Sequence, residues 1–103
     1  MKNEVNTENV HSLASKLESS IPALYQVLVH NDDFTPMEFV IGVLENFFYV
    51  GRIKATEIMM EAHLKGKSAC GVFTKDVADT KVEQVFRYAQ ANEHPLCFSV
   101  EST

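Results

Sequence analysis

The chain has 103 residues, with 14 acidic against 9 basic side chains for a formal net charge of −5, and it is 46% hydrophobic, 10% aromatic and 22% charged. That length allows one domain with a modest core, burying roughly 60–65% of what the unfolded chain exposes, and the composition argues against disorder of the whole chain. A pI near 5.2 speaks against nucleic acid as partner, and no apolar run approaches the roughly 18 residues of a membrane span.

Residues 1–22 hold three Asn, four Ser and no aromatic side chain. Val10, Leu13, Ala14 and Leu17 have a weak helical spacing, but the composition reads as a mobile N-terminal extension. This stretch lacks the apolar segment of a secretory signal, so a cytoplasmic chain is expected. A single domain is expected over 23–103.

Residues 24–30 are β-branched and aromatic, which suits a strand. Thr35-Pro36-Met37-Glu38 then sets a Thr N-cap three residues before a Glu, with proline at the first helical position, a capping box that starts a helix. Val40, Val43, Leu44 and Phe47 follow the i, i+3, i+4, i+7 rule, Met37 and Phe48 widen the stripe, and Gly51 is read as its stop. A second helix is expected over 52–65, with Ala55, Ile58, Met59 and Ala62 on one face and Gly66 ending it. Residues 68–73 form a short apolar run with strand character. A third helix carries Val82, Val85, Phe86 and Ala89 on one face, with Asp76 and Asp79 offsetting its dipole. Asn92-Glu93-His94-Pro95 breaks it, and Leu96, Phe98 and Val100 alternate along a last strand. The order strand-helix-helix-strand-helix-strand predicts an α/β (α+β) two-layer sandwich, a three-stranded antiparallel sheet with three helices covering one face.

Chemistry concentrates in two places. Asn31-Asp32-Asp33 lies between the first strand and first helix, where it serves either to satisfy helix-entry amides or to seat a positively charged group. His63 stacks on Met59 one helical turn earlier. It is either a boundary residue or a polar group beside an apolar hollow of Met37, Val40, Met59 and Leu96. No HExxH, CxxC or EF-hand spacing is present, so no metal or cofactor is expected. Cys70 and Cys97 sit in apolar strand segments as buried structural thiols, and no partnered nucleophile or Gly-rich phosphate loop exists. No catalytic residue is assigned, and the chain is not expected to be an enzyme.

Asn31-Asp32-Asp33-Phe34-Thr35-Pro36-Met37-Glu38-Phe39-Val40 resembles the signature of the ClpS family, adaptors of the ATP-dependent Clp protease. Lys54-Ala55-Thr56 through His63 with Gly66-Lys67, Cys70-Gly71-Val72-Phe73-Thr74, Thr80-Lys81-Val82 and Asn92-Glu93-His94-Pro95-Leu96 extend the resemblance over about residues 24–101. It implies an adaptor that binds proteins beginning with Leu, Phe, Tyr or Trp and delivers them to a ClpA-type AAA+ unfoldase. Asn31, Asp32, Asp33 and His63 would meet the substrate's α-amino group. Thr35, Met37, Val40, Met59, Ala62 and Leu96 would line the side-chain pocket, with Met37 as a gate against β-branched residues. Asp76, Thr80 and Lys81 would dock on the unfoldase N-domain, and the extension would engage the unfoldase at handover. A monomer is expected, with neither nucleic acid nor membrane as partner. The alternative is a general interaction module that inhibits or redirects the unfoldase without reading N-terminal residues. Ala62 is smaller than the residue usual in the family, which would widen the pocket, and Asp76 replaces a frequent Glu.

Overall fold

The computed structural model describes residues 22–103, so the extension expected over 1–22 lies, Pro22 apart, outside the described residues. Strand β1 (Leu24–His30) leads into helices α1 (Met37–Phe48) and α2 (Arg52–Lys65), then strand β2 (Lys67–Thr74), helix α3 (Lys75–Ala91) and strand β3 (Cys97–Ser102). The antiparallel sheet has the order β2-β1-β3, which puts the first strand in the centre. The helix pair α1–α2 brings the chain back antiparallel as β2, and α3 carries it across β1 to β3, which runs parallel to β2 and antiparallel to β1.

Val27 and Val29 point to one face of β1 and join a core with Val43 and Leu44 of α1, Ala55 and Ile58 of α2, and Ala78, Val85 and Ala89 of α3. The small Ala78 and Ala89 let α3 lie close to the strands. Leu28 points to the opposite face and is nonetheless buried. Lys67 lies opposite His30 and Glu101 opposite Gln26, so their 3.3 Å ion pair crosses the sheet diagonally over Leu28. The aliphatic stems of such long side chains shield apolar surface while their charges stay wet. No described helix is long and apolar enough to cross a membrane.

Four local expectations are corrected. The capping box at Thr35 does not form: Pro36 is the N-cap of α1, and no side chain caps the helix. Thr35 is drawn away by Asp32, to which its hydroxyl donates at 2.8 Å, while Glu38 accepts two hydrogen bonds from Arg52 at 2.7 and 2.9 Å. Gly51 does not stop α1. Tyr49 takes the left-handed conformation at φ 55°, and Gly51 is instead the N-cap of α2. Lys81 makes the tyrosine tolerable there, since its ammonium donates to the Phe47 carbonyl at 2.7 Å and sits 5.0 Å from the Tyr49 ring centroid. A lysine at a helix C-terminus satisfies an orphan carbonyl and offsets the dipole.

Phe86 is 52% exposed, because the inward stripe of α3 runs through Ala78, Val85 and Ala89 and leaves it to one side. Cys97 is exposed, whereas Cys70 is buried as expected. A bulge explains the position of Cys70: Val27 pairs with Gly71 and Leu28 with Ala69, leaving Cys70 as the extra residue. Beside it, a Cβ on Gly71 would come within 2.8 Å of the Phe73 ring. Burial pushes the Cys70 thiol up to about 12.

Gly66 closes α2 at φ 92° with its N–H donating to the Ala62 carbonyl, a conformation hostile to any Cβ. Gly66→Ala is expected to cost about 1–2 kcal/mol, read as a fall of several degrees in Tm by circular dichroism. The thiols give a second check. Cys97 should react with Ellman's reagent in the native protein, and Cys70 only on unfolding. Since the folded pKa of Cys70 lies above its ordinary value of 9.0, only the unfolded chain ionises there between those values. Its contribution to stability is therefore complete below about pH 9 and is lost as the pH rises towards about 12, which denaturant titrations across that range would measure.

Candidate functional site

β1 ends at His30, and the chain turns at once through Asn31, Asp32 and Asp33 into α1. A hollow of about 150 Å³ opens here between the end of β1, the first turns of α1, the last turns of α2 and the start of β3. Val40, Met59, Ala62 and Leu96 form its buried floor. Met37 stands at the mouth, 53% exposed. Asn31, Asp32, Asp33, Thr35 and His63 supply the polar wall. The ten residues singled out for the amine and the side chain therefore border one cavity.

Val29 and His30 also line the hollow and were missed. The available signal was position, since they are the last two residues of the strand that delivers Asn31.

The acidic loop divides its labour. One oxygen of Asp32 accepts from the Phe34 and Thr35 backbone N–H groups at 2.9 and 2.7 Å, and the other from the Thr35 hydroxyl. Asp32 thus closes an Asx turn that shapes the entry to α1. Among the described residues, the side chains of Asn31, Asp33 and His63 make no hydrogen bond. The loop is also tied to α2, for the Asn31 N–H donates to the Gly66 carbonyl at 2.9 Å. Gly66 therefore joins the two halves of the polar wall: its N–H ends the helix that bears His63, and its carbonyl holds Asn31.

Chemically, this is an apolar seat beside an anionic rim with unspent acceptors. An ammonium group has three donors and no acceptor, so a carboxylate, an amide oxygen and a ring nitrogen suit it. The one hydroxyl in the wall, on Thr35, donates to Asp32, which the backbone amides of the turn also hold. Among the described residues no group of three or more His, Cys, Asp or Glu side chains is placed to hold a metal ion.

Asp76, Thr80 and Lys81 lie elsewhere, around a shallow depression on α3 with Val77 and Gln84. The Thr80 hydroxyl donates back to the Asp76 carbonyl at 2.8 Å, and Lys81 is committed to the end of α1.

Comparison with known proteins bears on this arrangement. The family model described as "ATP-dependent Clp protease adaptor protein ClpS" matches residues 20–99. The ClpS adapter of Pectobacterium carotovorum subsp. carotovorum is 48% identical over 95 residues, covering 92% of this chain and 90% of that protein. That of Edwardsiella ictaluri is 55% identical over 80 residues, or 78% of this chain and 76% of that protein. Among solved structures, Agrobacterium tumefaciens ClpS2 bound to L-phenylalaninamide superposes with a TM-score of 0.78 at 35% identity, covering 81% of this chain and all (100%) of that one. The chain belongs to the ClpS family, the adaptor proteins of the ATP-dependent Clp protease, and is an adaptor rather than an enzyme.

Proposed function

We propose that this adaptor reads the first residue of its substrates, binding chains that begin with Leu, Phe, Tyr or Trp and passing them to a ClpA-type unfoldase. The observation that carries this reading is the union of a side-chain-sized apolar hollow with uncommitted polar groups on its rim. An apolar cavity of about 150 Å³ is large enough for benzene, so a hollow of about 150 Å³ suits one bulky side chain. The relative from Agrobacterium tumefaciens binds L-phenylalaninamide, which has a free α-amino group and a benzyl side chain, as the first residue of a peptide does.

Asp33 supplies the negative charge for the ammonium, with Asn31 and His63 as further acceptors. Asp32 shapes the turn and adds its charge from behind. Met37, at the mouth, screens side chains by shape, using an adaptable thioether. Burial of one side chain is worth about 1.5–3 kcal/mol and each charged hydrogen bond a similar amount. After the cost of association, affinity falls on the micromolar scale, near −8 kcal/mol, which suits a carrier that must release. An internal Phe lacks the ammonium and would leave the acceptors unpaired. Asp76, Thr80 and Lys81 form the docking patch for the unfoldase N-domain, with Lys81 also holding the end of α1.

Fluorescence anisotropy with a Phe-first peptide and its N-acetylated twin tests this. The free-amine peptide should bind at least tenfold more tightly, and equal affinity would overturn the reading. The two aspartates should separate. Asp33→Ala should weaken binding tenfold or more with Tm unchanged, whereas Asp32→Ala should weaken binding and also lower Tm by several degrees, since about 1 kcal/mol shifts a domain of this size by roughly 4–8 °C.

A further inference from the structure

We infer that His30 is a positioning residue for the amine pocket, acting through Ser99 to hold the open ends of β1 and β3 together where they deliver Asn31 and Leu96. This rests on the reading of the hollow as an N-terminal-residue pocket. His30 and Cys97 form the last pair of the β1–β3 ladder. The next residue on one side is Asn31 in the polar wall, and the preceding residue on the other is Leu96 in the floor.

The two strand edges are not equally secured at this point. On the β2 side the backbone bonding continues past the last pair, from the Asn31 N–H to the Gly66 carbonyl. On the β3 side Leu96 is preceded by Pro95, which has no N–H to extend the ladder. A terminal rung is the one most prone to open. There the His30 Nε2 lies 2.6 Å from the Ser99 Oγ, a half-buried hydrogen bond spanning the sheet diagonally. Ser99 pairs with Leu28, two rungs inside the end pair, so the bond ties the end rung to a secured one. The floor and the polar wall of the pocket are thereby kept at a constant separation, which a ligand needs if it must touch both at once.

The test uses the full chain and a labelled Phe-first peptide, with His30→Ala, Ser99→Ala, the double variant and His30→Gln, whose amide can still reach the serine. Each alanine variant should raise Kd about three- to tenfold at a temperature well below its own Tm. The double variant should be no worse than the weaker-binding single one, and His30→Gln should stay within about twofold of the unmodified chain. Amide exchange in the end pair of His30 and Cys97 should quicken in Ser99→Ala, a readout that needs no ligand. Ser99 does not line the hollow, so this variant carries the test even if His30→Ala fails to fold. Unchanged Kd with lowered Tm would overturn the proposal, as would additive losses in the double variant. Failure of the unmodified chain to bind the peptide would instead remove the pocket reading, and is seen before any variant is made.

Discussion

Strand β1 is hydrogen-bonded along both edges and its inward side chains Val27 and Val29 keep at most 1% of their exposure. The strand has no freedom to slip, because a shift of one residue would turn both valines out of the core and bring Leu28 and His30 into it. Its end is therefore a fixed point, and the site is built outward from it. Asn31 leaves the sheet at a defined place, Gly66 receives its N–H, and the turn that follows aims α1 across the core. The other two helices cover the same face of the sheet, so the last turns of α2 meet the first turns of α1 at the end of this strand.

The polar loop attached to that point resolves a competition that acidic turns commonly face. A carboxylate near a helix start is useful to the chain itself, because it satisfies amides that have no other partner. Asp32 is spent in that way. With those donors already satisfied, Asp33 has no structural work among the described residues, and it stands at the rim of an apolar cavity beside Asn31 and His63. A protein that only needed the turn would have been served by one aspartate. The second one fits holding a ligand, in keeping with membership of an adaptor family.

The fold was largely legible in the sequence because its signals are local and periodic. Residue type marked the first strand, a short apolar run the second and alternation the last, the 3.6-residue stripe marked the helices, and Gly66 ended α2 where the pattern placed it. The errors came where a competing side chain or the packing overrode a local rule. Thr35 had the sequence context of a cap, yet Asp32 outcompeted the helix for its hydroxyl. Gly51 had the residue type of a helix stop, yet Lys81, thirty-four positions from Phe47, made Tyr49 the stop. Phe86 fitted the stripe of α3 by spacing but lost its place to the smaller alanines that bring the helix near the sheet.

What the sequence determined by itself was the type and order of the elements, the residues bearing charge and apolar surface, and the resemblance that named the family. These depend on the chain's own neighbours, and on motifs that survive as strings. The resemblance implied which of those residues share a pocket, but their meeting is physically tertiary, since Asn31, His63 and Leu96 are brought together only by the sheet order β2-β1-β3 and the crossing of α1 and α2. Tertiary structure alone decided which aspartate is spent on the turn and which is free. Two adjacent residues of one type look identical in a sequence, and only the direction of each carboxylate relative to the backbone amides after it tells them apart.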